Sequence, residues 1–412
     1  MNENLITALD IGTNKILGIT GYLSDTGIDV LGTHIEDLPG KLMVKGRVAD
    51  IEGITNVLFD VFESLSEQVK ERVKYVTIGV GGGYVKGDIY TKKLEITPMG
   101  REINESDIQF LKKEIKNAIM AGKESGRKVL TILPQSYIID EQNVITKSPV
   151  GMHGNILEMR VLAISVEINP LQDIIHCVEN AAGEVENIFP HSWASGEAVL
   201  TEEEKEMGCL LIDIGKGTTD ISIYYGNTII ETKSFRIGGW NIDNDLSTLL
   251  HTPIDLAEEL KKNYGYCNYK KLKELKDPEL FKEVEIFSPS GKLSGKTTVE
   301  NISEIVCARV TEILYEFVKP VVVRSSLSSP LGAGVIITGG GAKLKGIDDL
   351  ASDIFKLPVR IGTPLKLYNL DRNFQQPEYS TGFGLLTLAS KKIKKRQLSF
   401  YEKLKGLVKK WF

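Results

Sequence analysis

The sequence predicts an α/β protein with two related lobes, and a pair of similar turns is the main observation behind this prediction. One turn begins at Asp10 and the other at Asp213, and both read Asp-Ile-Gly. Each turn follows an apolar segment that favours a β-strand and precedes a second such segment. Two such repeated units suggest two halves that hold one ligand between them. A chain of 412 residues is long enough to bury a core in each half.

The second turn is typical of a phosphate-binding loop. Its two glycines lack a Cβ atom, so backbone N–H groups can close on an anion, and two threonines add hydroxyl donors. The residues expected around a phosphate are Gly215, Lys216, Gly217, Thr218 and Thr219. Asp213 and Asp220 cannot bind phosphate directly. Two carboxylates beside a phosphate indicate a hydrated Mg²⁺, because this ion keeps most of its waters in proteins.

The first turn repeats the same arrangement near the N-terminus. The residues that we expect to bind nucleotide here are Asp10, Gly12, Thr13, Asn14 and Lys15. Either turn alone would be read as an ordinary hairpin turn. Because threonine follows glycine in both turns, we interpret the pair as functional and expect Asp10 and Asp213 to bind one Mg²⁺ through water from opposite sides.

A third glycine-rich segment follows a short apolar strand near residue 335. Gly339, Gly340 and Gly341 leave bare backbone that a ribose or a flat ring can approach, and Lys343 follows them. We expect a helix directly after these glycines, with its N-terminus favouring negative charge. In their order and spacing, the three segments resemble the two phosphate motifs and the adenosine motif of the superfamily of actin, heat-shock chaperones and sugar kinases.

This resemblance implies that the cofactors are ATP and Mg²⁺. Hydrolysing members of the superfamily carry an acidic residue or glutamine near the connection between the lobes. The connection in this chain is expected at residues 189–200, where Glu197 is the only acid and therefore a weak catalytic candidate. The sequence predicts ATP binding, with hydrolysis weak or absent.

The first half of the chain is expected to hold an antiparallel meander, a helix near residues 51–65 and a strand at 75–80. Gly81, Gly82 and Gly83 are interpreted as a hinge or as the point where the chain leaves the domain. Residues 84–160 are interpreted as an insertion with a strand pair around 86–96, a helix from 104 or 106 to 122, and strands at 129–139 and 157–166. A helix from Pro170 to Ala182 then returns the chain to the first lobe, since Pro is favoured in a first turn and Gly183 follows.

The second half adds further candidates for nucleotide binding. Gly239 lies in a Gly-Gly turn that follows the second phosphate turn, and Glu258 and Lys261 lie one helical turn apart, where both could reach a ribose. A solvated salt bridge is the plainer interpretation of that pair. A long helical pattern over 299–323 must be interrupted at Pro320. We also expect helices at 348–355 and 380–389 and a strand at 358–364.

The last 22 residues are strongly basic. They contain nine Lys or Arg and one Glu, a net charge of +8, while the whole chain has −5, so residues 1–390 carry −13. Ser399 is interpreted as the N-cap of a final helix, 400–412, whose apolar residues share one face. A basic face opposite an apolar one is typical of a helix that lies in a membrane surface. The residues expected to contact the membrane are Phe400, Lys403, Leu404, Leu407, Val408, Lys410, Trp411 and Phe412.

Composition excludes several other classes of protein. No segment approaches about 20 consecutive apolar residues, and the N-terminus lacks a signal peptide, so we expect a cytosolic protein. The four cysteines and five histidines are dispersed, which argues against a Cys/His metal site or nucleophile. A core helix is the alternative for the tail. Nucleic acid is a less favoured partner, because the apolar face is aliphatic rather than built for base stacking.

Taken together, the two turns, the Gly339 loop, the segment Ala257 to Gly265, the insertion and the tail resemble the FtsA family of bacterial cell-division proteins. The resemblance implies an actin-like two-lobed fold with duplicated α/β subdomains, an inserted α+β subdomain and a C-terminal amphipathic helix. The subdomains would be residues 1–83 with 161–200, 84–160, 201–250 with 319–390, and 251–318, followed by a linker and tail at 391–412. Lys216 stands where relatives usually carry glycine.

The family resemblance also implies a function and a location. The protein would self-associate into filaments on the cytoplasmic side of the cell membrane at the division site, as a peripheral protein bound to anionic lipid. It would tether filaments of FtsZ to the membrane through its C-terminal amphipathic helix and recruit later division proteins. The resemblance implies that the subdomain near His251 to Val318 binds the C-terminal peptide of FtsZ. The alternatives are an actin-like assembly protein of pilus or cell-shape systems, or a sugar or acetate kinase of the same fold.

Overall fold

A computed structural model describes residues 4–24, 27–38, 41–121, 126–141, 143–145, 148–326, 330–365 and 372–408. The first lobe, residues 4–83 and 168–200, is built on a sheet of five strands among the described residues, in the order β11-β6-β1-β2-β3. Its elements are β1 (Leu5–Ile11), β2 (Lys15–Leu23), β3 (Ile28–Asp37), β4 (Met43–Val44), β5 (Arg47–Val48), α1 (Ile51–Val69), β6 (Tyr75–Val80), α3 (Ile168–Asn180), β11 (Glu184–Pro190) and α4 (His191–Val199).

Sequence patterns explain this lobe well. Strands β1, β2 and β3 form the predicted antiparallel meander, while β6 and β11 join the sheet in parallel. Helix α1 begins after Asp50, whose side chain accepts a hydrogen bond from the Gly53 N–H at 3.0 Å. Its apolar face, with Leu58 and Val61 fully buried, covers the sheet. The α3 helix contains Pro170 in its first turn, as predicted.

The insert, residues 84–167, has a small core of its own. Its elements are β7 (Val85–Glu95), α2 (Glu105–Ala121), β8 (Arg127–Ile139), β9 (Asn143–Ile145) and β10 (Ile156–Glu167). The predicted strand pair around 86–96 is wrong, because β7 is one strand that pairs with β10 along its length. Gly87 does not form a turn but lies against Thr232 of the second lobe, where a Cβ atom would be 2.7 Å from the Thr232 Cγ2. Strand β10 also continues past the predicted boundary at Arg160.

The second lobe, residues 201–365, shares one sheet with the insert. Among the described residues this sheet has nine strands in the order β18-β17-β12-β13-β14-β7-β10-β8-β9. The junction is narrow, because β14 and β7 pair only at Lys233 and Lys86. The elements of this lobe are α5 (Glu202–Met207), β12 (Cys209–Ile214), β13 (Thr219–Tyr225), β14 (Thr228–Phe235), α6 (Gly239–Leu250), α7 (Ile254–Tyr264), α8 (Tyr269–Glu274), β15 (Glu283–Phe287), β16 (Leu293–Thr298), α9 (Val299–Thr311), α10 (Lys319–Ser326), β17 (Val335–Thr338), α11 (Ile347–Phe355) and β18 (Val359–Ile361).

Two features of the second lobe differ from the sequence prediction. No helix or strand was predicted for the polar region 270–296, which contains most of helix α8 and of the hairpin β15–β16. The predicted interruption at Pro320 is confirmed, but as a π-helical segment, Glu312–Val318, between α9 and α10. A proline cannot donate the helical hydrogen bond and its ring crowds the preceding turn, so the widened helix accommodates it.

The last helix, α12 (Ser380–Val408), is a single element of 29 residues. Its first part packs among helix α4 and strands β1 and β2, where Phe383 and Leu386 are fully buried. The prediction that Ser399 starts a separate helix is wrong. No glycine or proline occurs between Gly384 and Gly406, so nothing in the sequence ends the helix before the tail. The tail thus continues the core helix without a linker as far as Val408.

Four buried cysteines are free thiols in the described part of the chain, as expected of reduced core residues. Among the described residues, no helix is long and apolar enough to cross a membrane.

Candidate nucleotide-binding site

Both predicted phosphate turns are tight hairpin turns at the ends of buried strands. In the first lobe the Gly12 N–H donates to the Lys15 carbonyl at 3.0 Å, between β1 and β2. In the second lobe the Gly215 N–H donates to the Thr218 carbonyl at 2.8 Å, between β12 and β13. The same local sequence therefore produces the same turn in both lobes, as predicted.

The two turns contact each other across the cleft between the lobes. A Cβ atom on Gly217 would lie 2.6 Å from the Thr13 Oγ1, so only glycine allows this approach. The Lys216 Nζ donates to the Asn14 Oδ1 at 2.7 Å. Fold topology thus brings together two turns that the sequence separates by some 200 residues.

Lys216 also binds an acid of the second lobe. Its Nζ lies 2.8 Å from the Glu258 Oε2, and Lys262 binds the other oxygen of that carboxylate at 2.9 Å. Burial alone would raise the pKa of Glu258, but hydrogen bonds from the two lysines lower it to about 2. Glu258 therefore remains charged at neutral pH. Its carboxylate is connected to the turns at the cleft by the amine of Lys216.

Lys261, the other member of the predicted ribose pair, does not reach the cleft. Its amine is almost fully buried and pairs with the Asp243 Oδ1 at 2.6 Å. The same amine lies 3.4 Å from the Gly239 carbonyl, at the first turn of α6. Since Asp243 is itself 1 % exposed, Lys261 neutralises a buried charge and supports the helix that follows the second turn. Lys261 is therefore held away from a ribose by its buried partner, and the contact of Glu258 with a ribose stays a prediction.

Three carboxylates occupy the floor of the cleft: Asp213 and Asp220 are buried, and Asp10 is half-buried. Burial raises the pKa of each, and for Asp213 burial together with the nearby Asp220 charge raises it to about 6. Asp213 and Asp220 face each other across β12 and β13. Carboxylates that are short of partners for their charge suit a hard cation such as Mg²⁺.

The geometry fits a hydrated ion better than direct coordination. Among the described residues, no group of three Asp, Glu, His or Cys side chains is placed to hold a metal ion directly. Asp213 is already held by the Thr381 hydroxyl at 3.0 Å, from the first turn of α12. Asp10 and Asp213 are therefore the residues that would bind the waters of Mg²⁺.

The third segment differs in detail from its prediction. Gly339 has φ +80° and is followed by a short 3₁₀ turn, Gly340–Lys343, while helix α11 begins only at Ile347. Cβ atoms on Gly339 or Gly341 would collide with Asp213 or Ile214, whereas one on Gly340 would meet no atom within 4 Å. The glycines thus let the loop lie directly on the second phosphate turn, and the expected helix N-terminus is displaced.

Charged side chains close this side of the cleft. Lys343 binds the Glu378 Oε2 at 2.7 Å, and Lys15 approaches the other Glu378 oxygen at 3.7 Å while lying over the Tyr379 ring. Burial lowers the pKa of Lys15, although Glu378 and Asp10 oppose this effect. Both predicted lysines therefore face one acid that the sequence did not indicate.

Two hydroxyl groups of the second turn have partners within the protein. The Thr219 hydroxyl is fully buried and donates to the Ile237 carbonyl at 2.8 Å, so it does not face a phosphate. Thr218 is half-buried and its hydroxyl donates to the Asp220 Oδ2 at 3.2 Å. Thr219 is the first residue of β13 and Thr218 directly precedes it, so the two side chains point to opposite faces of the extended chain.

The catalytic candidate Glu197 has its partners elsewhere. Its carboxylate pairs with Lys205, which is 4 % exposed, and with Lys391 of α12. Burial would raise its pKa, but the two lysines lower it below the usual value. Glu197 thus joins α4, α5 and α12 and contacts none of the predicted nucleotide-binding residues.

His191 was missed by sequence reasoning and lies at the cleft instead. Its Nε2 is 3.8 Å from the Asp10 Oδ1. Gly81, which was interpreted as part of a hinge, also lies next to the cleft. A Cβ atom there would lie 2.6 Å from the His191 Nδ1 and 3.0 Å from an Asp220 oxygen. The only signal was its place, directly after a strand and shortly before the second turn. A lone histidine in the sequence could not show that this place faces Asp10.

The prediction of membrane contact concerns side chains that lie outside the described part of the chain. Helix α12 includes Phe400, Lys403, Leu404, Leu407 and Val408, but their side chains lie outside the described part of the chain. Residues Lys410, Trp411 and Phe412 lie entirely outside it. These eight residues stay a prediction.

Comparison with known proteins gives sequence matches over most of the chain. A family profile described as "Cell division protein FtsA" matches residues 210–384, and one described as "SHS2 domain inserted in FTSA" matches residues 82–165. The cell division protein FtsA of Pseudomonas aeruginosa is 32% identical over 93% of this chain and 88% of its own length. The FtsA of Bacillus subtilis is 29% identical over 97% of this chain and 87% of its own length.

Solved structures share the fold at lower identity. The PilM-PilN type IV pilus biogenesis complex matches with a TM-score of 0.66 and 13% identity, covering 93% of this chain and 98% of the other. MreB5 of Spiroplasma citri bound to ADP matches with a TM-score of 0.51 and 16% identity, covering 97% and 98%. These likenesses establish the actin-like two-lobed α/β fold with its insertion, as predicted, and concern the fold alone.

Proposed function

Because the chain belongs to the FtsA family of bacterial cell-division proteins, we propose that it binds Mg-ATP between its lobes and assembles on the cytoplasmic face of the membrane. Its division role follows from the family. The finer functions proposed here are self-association, tethering of FtsZ filaments through the C-terminal helix and recruitment of later division proteins to the division site.

One observation carries the proposal of ATP binding: the phosphate turns of the two lobes meet above the carboxylates of Asp10, Asp213 and Asp220. Gly217 packs on Thr13, and burial raises the pKa of both Asp10 and Asp213. A nucleotide would add its phosphates between the turns, and Mg²⁺ would supply the positive charge that these carboxylates need. Structures of MreB5 with ADP and with AMPPNP have the same fold, which supports a nucleotide as the ligand.

The C-terminal helix supports membrane attachment. It leaves the body of the protein as a direct extension of a buried core helix. A basic segment gains about 1 kcal/mol per Lys or Arg at an anionic lipid surface, and each buried leucine adds roughly 1.5 to 3 kcal/mol. Assembly of many copies would multiply this affinity without new contacts. Self-association and membrane binding would therefore reinforce each other.

Exposed surfaces are available for protein partners. In the region 251–318, where we place the FtsZ peptide, Leu275, Phe281 and Leu293 are each more than half exposed. A groove of about 250 Å³ between β8 and β11 includes Lys128, Trp193 and other side chains. We assign this groove to later division proteins. Both of its walls are formed by strands, and an extended peptide could contact the edge of either strand.

Co-flotation with anionic liposomes, with and without Mg-ATP, tests the membrane proposal. We compare the natural chain with the double variant Leu404→Glu, Leu407→Glu. Lys405→Glu is the control, because it changes the net charge by the same amount but alters the polar face. Replacement of both leucines should abolish flotation, whereas the control should only weaken it.

Further outcomes separate the parts of the proposal. Mg-ATP should increase the bound fraction of the natural chain, and FtsZ should float only together with it. Equal binding by the two charge-matched variants would contradict insertion of the apolar face. If the natural chain itself does not float, the tail is a core or docking helix, and a soluble kinase of this fold becomes the better interpretation.

A further inference from the structure

A short hairpin of the first lobe, β4–β5, reaches the second lobe at the phosphate turns. The turn between its two strands consists of two residues, Lys45 and Gly46. A Cβ atom on Gly217 of the second phosphate turn would lie 3.1 Å from the Lys45 Cα and 2.6 Å from the Thr13 Oγ1. The same glycine is thus in contact with both the hairpin and the first phosphate turn. The tip of the hairpin therefore lies beside both turns.

The position of this tip is fixed by contacts with the start and the end of the insert. The hydroxyl of Tyr84, a buried residue, donates to the Gly46 carbonyl at 2.7 Å. The Arg47 Nη2 donates to the Glu167 Oε2 at 2.6 Å. Because both partners belong to the insert, the hairpin is held from the side that faces away from the second turn. It therefore holds Lys45 at a defined place beside the cleft.

The backbone of Lys45 adopts a conformation that is uncommon for lysine. Its φ is +49° and that of Gly46 is +78°, which is the left-handed pattern of a type I′ hairpin turn. Asparagine followed by glycine is favoured in such a turn, whereas most other residues avoid positive φ. Sparsely populated backbone conformations of this kind cluster at functional sites. The turn itself therefore does not explain a lysine at this position.

The amine of Lys45 lies across the cleft against an aromatic ring of the second lobe. Its Nζ is 5.9 Å from the centre of the Trp240 ring, near the limit of a cation–π contact. The Trp240 N–H donates to the Lys216 carbonyl at 2.6 Å, so Trp240 is directly beside the second turn. The amine of Lys45 is thus placed between the tip of the hairpin and α6, where it can reach a group held on the second turn.

Lys45 differs from the lysines of the two phosphate turns in its charge partners. Lys15 of the first turn approaches Glu378 at 3.7 Å, and Lys216 of the second turn pairs with Glu258 at 2.8 Å. Lys45 is half-buried, yet it forms no ion pair in the described part of the chain. A partly buried ammonium group without a counter-charge suits an anionic ligand, because buried charges are normally paired.

The order of contacts along the second turn indicates which phosphate meets this amine. The loop expected to hold adenosine lies at the beginning of the turn, since a Cβ atom on Gly339 would be 2.3 Å from an Asp213 oxygen. The hairpin lies near the end of the same turn, at Gly217. A nucleotide with its adenosine at the Gly339 loop therefore directs its last phosphate towards the hairpin.

We infer that Lys45 binds the terminal phosphate of ATP and thereby makes the site prefer ATP to ADP, an inference that rests on the proposed binding of Mg-ATP. The ammonium group leaves its weak contact with Trp240 and forms a charge-assisted hydrogen bond to an oxygen of the terminal phosphate. ADP lacks this phosphate and leaves Lys45 without a partner. Lys45 is thus a specificity-determining residue that the first lobe supplies outside its phosphate turn.

The test compares two substitutions at this position. Lys45→Asn fits the left-handed turn but is short and uncharged, whereas Lys45→Arg retains the charge. Lys70→Asn is the matched control, because Lys70 also has a positive φ, +56°, but is exposed at the C-terminal end of α1. Each full-length protein is titrated at equilibrium with Mg-AMPPNP, which has a terminal phosphate, and with Mg-ADP. Thermal unfolding shows that each variant is folded.

The expected result is a loss of affinity for one nucleotide only. Lys45→Asn should weaken binding of AMPPNP by about 10- to 100-fold, as for the loss of one hydrogen bond between charged groups. Its affinity for ADP should stay within about twofold of that of the natural chain. Lys45→Arg should retain most of the preference for AMPPNP, and Lys70→Asn should change neither affinity.

Other results would overturn the inference in ways that can be told apart. Unchanged affinity for AMPPNP in Lys45→Asn, or an equal loss for both nucleotides, would leave the hairpin a structural role only. Arginine that performs no better than asparagine would exclude a role for the charge. Equal affinity of the natural chain for AMPPNP and ADP would remove the role of Lys45 but leave the proposed nucleotide binding intact.

Failure of the natural chain to bind either nucleotide would overturn both proposals. If Lys45→Asn does not fold, Lys45→Gly takes its place in the same titrations, because glycine adopts the left-handed conformation without strain. The same selective loss of affinity for AMPPNP is expected of this variant, and its absence would contradict the role of Lys45.

Discussion

The amine of Lys216 lies 2.7 Å from the amide oxygen of Asn14, so one hydrogen bond joins the phosphate turns of the two lobes. The same amine forms an ion pair with Glu258 at 2.8 Å. Lys216 thus links the first lobe to helix α7 through a single side chain. Any widening of the cleft at this point must break at least one of these contacts.

Replacement of Lys216 by methionine should weaken this link. We expect the free energy of unfolding at pH 7 to fall by about 1 kcal/mol, as for a partly exposed ion pair. Because the folded pKa of Glu258 is lowered to about 2, its contribution is present above the ordinary value and is lost as the pH falls towards 2. Denaturant unfolding at pH 7 and pH 3 should show a smaller difference at the lower pH.

Lys262→Met serves as the control for this prediction. Lys262 also binds Glu258, but its side chain is 64% exposed and does not contact the first lobe. It should therefore cost less than Lys216→Met. Equal losses for the two variants would mean that the contact to Asn14 adds nothing.

The three glycines of the Gly339 loop should differ in their tolerance of alanine. A Cβ atom on Gly341 would collide with Ile214, whereas Gly340 has open space around it. Gly341→Ala should lose roughly 1 to 3 kcal/mol by overpacking, and its nucleotide affinity should fall. Gly340→Ala should match the natural chain in both thermal unfolding and ATP titration. Loss of nucleotide affinity in Gly340→Ala alone would show that the ligand itself occupies that open space.

Asp213 should destabilise the metal-free protein at high pH. Burial and the charge of Asp220 raise its pKa to about 6, so its contribution to stability is complete below the unfolded value near 3.8 and is lost as the pH rises through 6. Asp213→Asn should therefore stabilise the metal-free protein at pH 8 by up to about 3 kcal/mol, with little effect at pH 4. Thermal unfolding in a chelator at both values measures this.

The same variant should lose the contribution of the Asp213 carboxylate to Mg²⁺ binding. Asp213→Asn should show no increase of ATP affinity on addition of Mg²⁺, whereas the natural chain should. An equal response of the two proteins to Mg²⁺ would argue against Asp213 as a residue that binds the waters of the ion.

Glu197 should matter for stability and not for turnover. In Glu197→Gln the buried amine of Lys205 retains only Glu202, whose side chain is 61% exposed. Removal of one partner of a buried ion pair typically costs about 3 to 5 kcal/mol. Glu202→Gln is the matched control and should cost less than about 1 kcal/mol. A variant Glu197→Gln that is stable but releases phosphate more slowly would restore Glu197 as a catalytic residue.

Continuity of α12 should be needed for communication between nucleotide and membrane. Thr381 at its start binds Asp213, and the helix continues to Val408. Lys394→Pro breaks the helix, whereas Lys394→Ala removes the same charge and leaves the helix intact. Liposome flotation without nucleotide should be similar for both variants, but only the alanine variant should respond to Mg-ATP. A proline variant that still responds would show that the tail does not need a rigid connection.

Much of the fold could be predicted because local signals and burial agree. The turns at Asp10 and Asp213 combine apolar strands with glycine, and the helical pattern from Ile51 matches the face that α1 buries. The hairpin β15–β16 was missed for the opposite reason. Most of the side chains of Leu293–Thr298 are exposed, so this strand shows no apolar alternation. Its partner β15 does alternate, with Val284 and Ile286 buried, but one short alternating strand does not indicate the exposed strand that pairs with it.

The turns of the candidate site could be predicted from the sequence, but the groups that the predicted side chains contact could not. Lys261 and Thr219 fit the motif by spacing, yet a buried acid and a backbone carbonyl hold them in the structure. His191 and Glu378 carry no motif and reach the cleft only because α4 and the segment before α12 connect the lobes. Contacts between residues far apart in sequence depend on packing, which composition and spacing do not describe.

The shared sheet has a consequence for how an outside partner could sense the cleft. The chain enters the insert from the first lobe through Gly81, Gly82 and Gly83, whereas β7 of the insert pairs with β14 of the second lobe at Lys233 and Lys86. The N–H groups of Gly82 and Gly83 also donate to the Ser234 hydroxyl of β14 at 2.9 Å. The insert is thus covalently attached to one lobe and hydrogen-bonded to the other. Rotation between the lobes must therefore either break these hydrogen bonds or tilt the insert. A protein bound to the insert would then respond to nucleotide binding in the cleft without contacting the nucleotide.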